Sequence, residues 1–88
     1  MSKERIEIVI IVNGEPVTEK AHPDEEVGEV VSRALNDSGN SGQPLNNWEL
    51  RDESGHVIDF GRKFRNLDIK PGAKLFLNLK AGVGGDDG

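Results

Sequence analysis

The chain has 88 residues, no cysteine and a formal net charge of −5, enough sequence for one domain around one core. Without cysteine there is no disulfide, thiolate metal site or thiol nucleophile, and no need of an oxidising compartment, so the expected location is the cytoplasm. A net negative chain lacks the clustered Lys and Arg that neutralise phosphates, which argues against nucleic acid, and no apolar stretch reaches signal-peptide or bilayer-spanning length, which argues against a membrane.

Residues 5–12 alternate at first, Ile6-Glu7-Ile8, and then run apolar through Val9, Ile10, Ile11 and Val12. This pattern predicts a strand near the middle of a sheet. Asn13-Gly14 supplies the positive φ angles of a tight hairpin turn. The returning segment 15–21 has only Val17 and Ala21 as clear apolar residues and carries Pro16, which suits an edge strand. Val27, Val30, Val31, Ala34 and Leu35 then recur at helix-face spacing. Asp24 is the expected N-cap, Glu25 and Glu26 would complement the helix dipole, and the stretch from Asn36 to Gly39 would stop the helix. Gly28 costs that helix roughly 1 kcal/mol relative to Ala.

Residues 38–47 are rich in Gly, Ser, Asn and Pro and read as a loop. Trp48 and Leu50 alternate with Glu49 and Arg51 as a third strand, and Glu53-Ser54-Gly55 turns it into a short fourth around residues 56–58. Residues 60–66 suggest an irregular crossing with one helical turn, after which Leu67 and Ile69 are expected to plug the core. Pro71-Gly72 makes a turn, and Leu75, Leu77 and Leu79 alternate with Lys74, Phe76, Asn78 and Lys80 as a final strand with one buried face. From residue 81 the sequence becomes Ala81-Gly82-Val83-Gly84-Gly85-Asp86-Asp87-Gly88. A segment this rich in glycine builds no core, so the expected organisation is a folded domain over 1–80 and a flexible tail over 81–88.

Strands gathered around one helix give an α+β roll with a mixed four- to five-stranded sheet, provided the first and last strands lie side by side. The Asn13-Gly14 hairpin, the Pro23-Asp24 lead into the helix, Ile69 and Leu75 bracketing Lys70 to Lys74, and Leu75-Phe76-Leu77-Asn78-Leu79 running toward Gly84-Gly85 together resemble the β-grasp pattern of ubiquitin-like protein modifiers. The chain is similar in particular to the ubiquitin-like proteins of bacterial operons that also encode activating, conjugating and peptidase enzymes. The resemblance covers residues 4–85 and rests on topology, spacing and the glycine pair.

It implies a non-enzymatic, monomeric carrier without cofactor or metal. Its Gly84-Gly85 carboxylate would be exposed by a processing peptidase cutting before Asp86, adenylated by an activating enzyme, passed as a thioester to a conjugating enzyme and joined to a target protein or another nucleophile. Gly82 and Val83 would give the tail reach. Direct activation at Gly88 is the variant without trimming. Glycine suits this task physically, because a carbonyl entering a narrow catalytic channel must arrive without a side chain in its way. Two other functions fit the same residues: a sulfur carrier with a C-terminal thiocarboxylate, and a non-covalent interaction domain with an idle tail.

His22 and His56 fall in separate loops without a partner at useful spacing, and read as surface histidines. Trp48 is expected in the core by its alternation with Leu50, with a role as a partner anchor as the other reading. The outward positions of the third and last strands, Glu49, Arg51, Phe76 and Asn78, form the expected partner surface. Only Phe76 there is apolar, so the usual receptors of ubiquitin should not bind. Lys3, Lys20, Lys63, Lys70, Lys74 and Lys80 are read as solvated surface charge rather than as acceptors for chain formation.

Overall fold

The computed structural model describes residues 5–81. In chain order it comprises β1 (Ile6–Val12), β2 (Glu15–Ala21), α1 (Val27–Asp37), β3 (Trp48–Arg51), β4 (Val57–Ile58) and β5 (Lys74–Leu79), with single 3-10 turns at Leu45–Asn47 and Phe64–Asn66. The strands form one mixed sheet in the order β2-β1-β5-β3-β4, and α1 packs on one of its faces. This is the ubiquitin-like β-grasp arrangement.

The hairpin forms as the sequence predicts. Asn13 (φ 49°) and Gly14 (φ 88°) both adopt positive φ, matching the twist of the flanking strands, and β2 lies at the sheet edge. β1 and β5 then pair in parallel, with Ile10 opposite Leu75 and Val12 opposite Leu77. All four are buried, together with Ile8 and Leu50, beneath the Val27, Val30, Val31, Ala34 and Leu35 face of the helix. At its other end α1 stops through Gly39 (φ 77°). Asn40 N–H donates to Leu35 O at 2.7 Å and Gly39 N–H to Asn36 O at 3.2 Å, the paired bonds that satisfy carbonyls left over in the last turn.

Several expectations need correction. Asp24 is not the N-cap: that position is Glu26, whose side chain makes no capping bond. The exposed helix amides are satisfied instead by the segment that crosses from β4 to β5, with Val27 N–H donating to Arg62 O (2.8 Å) and Gly28 N–H to Phe60 O (2.9 Å). Asp24 pairs with Arg65 on the surface. Glu25 does not serve the helix dipole either, since its carboxylate accepts from His22 N–H (3.0 Å) and from Arg33 (2.7 Å). An exposed ion pair contributes only about 0–1 kcal/mol. Asp24→Ala is therefore expected to lower stability by no more than about 0.5 kcal/mol, against roughly 1 kcal/mol for loss of a true cap, as measured by urea denaturation.

The crossing also explains Gly28. A Cβ built there would meet Phe60 Cβ and Phe60 O, each at 3.4 Å, so the small residue lets the crossing strap lie close to the helix.

The loop after α1 is not featureless, because Leu45–Asn47 makes a 3-10 turn leading into β3. β4 begins at Val57 rather than at residue 56. Phe64, carried inward by the second 3-10 turn, is the buried plug of the crossing. Leu67 and Ile69 are only half-buried and pack at the rim of the core. Trp48 is 2% exposed, which places it in the core and removes the partner-anchor reading. One buried residue was not anticipated. Glu19 on β2 is 6% exposed and points to the helix side between Val17 and Ala21.

Candidate functional site

β5 reaches the end of the sheet with its direction fixed on both sides. β1 pairs with it in parallel and β3 in antiparallel fashion. Beyond the last paired residue Lys80 N–H still donates to Asn47 O at 2.9 Å. Ala81 is the last described residue, so Gly82, Val83, Gly84, Gly85 and Asp86 lie outside the described residues. What the structure establishes is the origin of that segment, at the mouth of the central pair of strands.

The four expected surface residues come together. Glu49 is opposite Asn78 and Arg51 opposite Phe76 across the β3–β5 ladder. They form one block on the sheet face turned away from α1, with Phe76 and Glu49 half-buried and Asn78 and Arg51 exposed. Arg51 pairs with Glu49 and also donates to Gly55 O at 2.8 Å, so the two charges in the block neutralise each other.

The same face extends further than sequence reasoning foresaw. Ile11 lies opposite both Pro16 on β2 and Phe76 on β5, while Arg51 lies opposite Val57 on β4. One row therefore crosses all five strands: Pro16, Ile11, Phe76, Arg51, Val57. Beside it Thr18, Val9 and Lys74 form a second row. The available signal was the unbroken apolar run of β1, which places side chains on both faces of a strand that has a helix over only one.

A second group of polar residues surrounds Glu19. Arg33 Nε approaches Glu19 Oε1 at 3.6 Å, and its guanidinium also donates to Lys20 O (2.8 Å) and to the Glu25 carboxylate. Burial is the largest influence on Glu19 and the neighbouring Asp37 carboxyl the next; together they outweigh Arg33 and push its pKa up to about 7. Among the described residues Glu19 Oε2 is buried without a donor to accept from. Protonated, the Glu19 carboxyl becomes a donor to Asp37, which removes the deficit. Glu25 shows the opposite behaviour, held below the usual carboxylate value chiefly by its hydrogen bonds from Arg33.

The two histidines stay apart. His22 Nδ1 accepts from Asp24 N–H at 3.1 Å, and His56 lies 3.8 Å from Asp52 in the β3–β4 turn. Among the described residues no group of three or more His, Cys, Asp or Glu side chains is placed to hold a metal ion, and no helix is long and apolar enough to cross a membrane. A cleft of about 460 Å³ opens at the pole where β5 begins, floored by Ile58, Leu67, Ile69 and Leu75 and edged by Asp52, Glu53, Lys70 and Lys74.

Comparison with known proteins places this geometry. Residues 1–85 match the family model described as "Protein of Unknown function (DUF2604)". A protein of Sinorhizobium fredii, "Uncharacterized protein y4jI", is 40% identical over 81 residues, 92% of this chain. The chain spans 62% of that relative's length. Among solved structures it is similar to Caldiarchaeum subterraneum ubiquitin, with a TM-score of 0.73 at 19% identity over 92% of this chain and 100% of that one. It is also similar to the C-terminal ubiquitin-like domain of human 2'-5'-oligoadenylate synthetase-like protein, with a TM-score of 0.75 at 17% identity over 100% of this chain and 98% of that one. A de novo design based on ubiquitin gives a TM-score of 0.74 at 20% identity, over 93% and 96%. At these identities the structural likeness concerns the fold.

Proposed function

The chain belongs to the DUF2604 family and has a ubiquitin-like fold, and from that premise we propose that it is a protein modifier joined to its targets through the Gly84-Gly85 carboxylate. Domains of this fold are typically non-enzymatic and work through contacts with other proteins. The observation that carries the proposal is the position of the glycine pair. β5, held between β1 and β3 and extended by the Lys80 to Asn47 bond, leads into the pair with only Ala81, Gly82 and Val83 between.

A folded body of this kind supplies recognition, and the tail supplies a carbonyl free of side chains. The chemistry comes from partners. A processing peptidase cleaves between Gly85 and Asp86. An activating enzyme then adenylates the new carboxylate, which is transferred to a conjugating enzyme's cysteine as a thioester and finally to an amine or other nucleophile on the target. The block of Glu49, Arg51, Phe76 and Asn78 on the open sheet face serves as a contact surface for these partners, in the cytoplasm and as a monomer.

Mass spectrometry of the protein recovered from its native cell tests the proposal. The expected results are a free form ending at Gly85 and, on modified targets, an Ala-Gly-Val-Gly-Gly remnant after trypsin, which cuts at Lys80, or a Gly-Gly remnant after a protease that cuts at Val83. A terminal gain of one sulfur in place of an oxygen would instead identify a sulfur carrier. An uncleaved chain without adducts in every fraction would identify a non-covalent interaction domain, and either outcome would replace the conjugation reading.

A further inference from the structure

Glu19 sits at a corner where three elements meet. β2 turns it toward the helix between Val17 and Ala21, α1 brings Arg33 and Asp37 to it, and the turn before α1 brings Glu25. Arg5, Glu7 and Lys20 stand at the rim of the same polar hollow. His22 enters the corner only through its backbone N–H, which donates to Glu25 (3.0 Å), while its ring accepts from Asp24 N–H.

Arg33 is largely committed to other partners. Its Nη1 donates to Glu25 Oε2 at 2.7 Å, and its Nη2 to Lys20 O at 2.8 Å and to Glu25 Oε1 at 3.2 Å. Its Nε stands 3.6 Å from Glu19 Oε1, beyond hydrogen-bond length. Arg5 and Lys20 make no ion pair with Glu19 among the described residues. Asp37 ends α1, where unpaired carbonyls already concentrate negative charge, and the last turn of the helix holds no basic residue to offset it. The corner thus joins a buried carboxyl, one of whose oxygens has no donor, to a second acid at the wrong end of a helix dipole.

We propose that Glu19 and Asp37 form a proton-operated latch: one proton held between the two carboxyls ties β2 to the last turn of α1, and its loss releases that turn and the loop that follows. With the proton in place Glu19 donates to Asp37, and a single negative charge remains between them. Without it, two carboxylates face each other where Glu19 is shut off from water and Arg33 is already engaged. Moving Asp37 away lets water reach both.

The helix is the side that yields. β2 is paired with β1 along its whole length, from Ala21 opposite Ile6 to Glu15 opposite Val12. Beyond the buried Leu35, by contrast, Asn36 and Asp37 are exposed. Three bonds close that end: Ser38 N–H to Ala34 O (3.0 Å), Gly39 N–H to Asn36 O (3.2 Å) and Asn40 N–H to Leu35 O (2.7 Å). The loop beyond runs to Asn47, whose carbonyl accepts from Lys80 N–H (2.9 Å), so the latch lies one loop away from the origin of the tail. This inference does not depend on the tail chemistry.

Amide hydrogen exchange of the full ¹⁵N-labelled chain, corrected for intrinsic rates, reads the latch directly. An opening that brings Glu19 into water returns it to ordinary carboxylate behaviour, so opening is favoured as pH rises from 4.5 to about 7. Protection at Ser38, Gly39 and Asn40 is therefore expected to fall at least tenfold between pH 5 and pH 7.5. Asn66 and Leu67, in the 3-10 turn of the crossing, should stay within about threefold over the same range. Glu19→Gln should hold Ser38, Gly39 and Asn40 within about threefold as well. Asp37→Asn, whose amide donates to the ionised Glu19, should move the titration of the Glu19 carboxyl carbon to lower pH.

The proposal is overturned if Ser38, Gly39 and Asn40 keep their protection across the range, or if they are unprotected already at pH 5. It is equally overturned if the fall persists at full size in Glu19→Gln, if Asn66 and Leu67 fall in parallel, or if Asp37→Asn leaves the Glu19 titration where it was. Covalent adducts formed by the Glu19→Gln variant at wild-type abundance keep this latch separate from the conjugation reading, since the variant leaves the tail intact.

Discussion

Glu19→Gln is expected to make the protein more stable at pH 8 and to leave it nearly unchanged at pH 4. The folded state raises the pKa of Glu19 from 4.5 to about 7, first by burial and then by the nearby Asp37 carboxyl. A raised pKa means that the native chain holds a proton that the unfolded chain gives up. Stability from this group is therefore fully present below pH 4.5, falls as pH rises toward about 7, and is level above that. A displacement of this size corresponds to on the order of 3 kcal/mol.

Gln cannot ionise, yet its amide still donates to Asp37 and its carbonyl still accepts from Arg33. The variant should gain roughly 1–3 kcal/mol at pH 8, a rise in Tm of roughly 5 to 15 °C for a domain this small. Glu25 provides an internal control of opposite sign. Its lowered pKa contributes stability above the ordinary carboxylate value and loses it as pH falls further. Wild-type stability should thus be greatest near pH 5, with a decline on either side. Glu19→Gln should abolish the decline toward neutrality and keep the acid limb. Urea titrations from pH 3 to pH 9 measure both limbs. A wild-type profile that stays flat between pH 5 and pH 8 would show that Glu19 remains an ordinary surface carboxylate.

The same residue illustrates what the sequence conceals. Signals formed within a few residues are legible: Asn13-Gly14 must turn, and the Val27 to Leu35 stripe must face a core, because both patterns are fixed by local backbone geometry. The roles of Leu75 and Leu77 follow as directly, from period-two alternation. Legibility ends where distant segments decide. Asp24 has the chemistry of an N-cap, but carbonyls of Phe60 and Arg62, more than thirty positions away, reach the helix amides first. Phe64 rather than Leu67 fills the core because the helical turn expected within residues 60–66 falls at Phe64–Asn66 and rotates that side chain inward, a placement no local pattern fixes.

Glu19 was readable in principle, since alternation places it with Val17 and Ala21. Its charge argues for the opposite face, and only the third dimension supplies the Arg33 and Asp37 that make burial tolerable. For the candidate site the division is different. The glycine pair is written in the sequence alone, and the strand that aims toward it was legible as well. The open sheet face was half-legible: Phe76 stood out on its own strand, but its junction with Val9 and Ile11 depends on the parallel β1–β5 pairing, which no local pattern reveals.

Replacing both Gly84 and Gly85 by Val is expected to eliminate covalent adducts while leaving the fold unaffected. Among the described residues every buried core residue falls between Ile8 and Leu77, so the double variant should unfold within about 0.5 kcal/mol of wild type, as substitutions away from packed features do. Its effect on chemistry should be far larger. A β-branched residue restricts φ and ψ and places two methyl groups beside the carbonyl that must be attacked. Displacing a reacting group by about 1 Å costs roughly 10²-fold in rate, and activation, transfer and processing each require the same carbonyl in a confined channel. Successive losses of that size would drive adducts below detection. Gly84→Ala, with one methyl and wider backbone freedom, should retain an intermediate yield. Quantifying adducts by immunoblot and remnant-peptide mass spectrometry in the native cell, beside urea denaturation of the purified variants, separates the two effects. Adducts at wild-type abundance in the Val-Val variant would mean that the tail is not the reactive element. Their loss together with a large drop in stability would mean that residues beyond β5 belong to the fold, and only loss of adducts with an intact body agrees with a carrier whose chemistry resides in its last glycines.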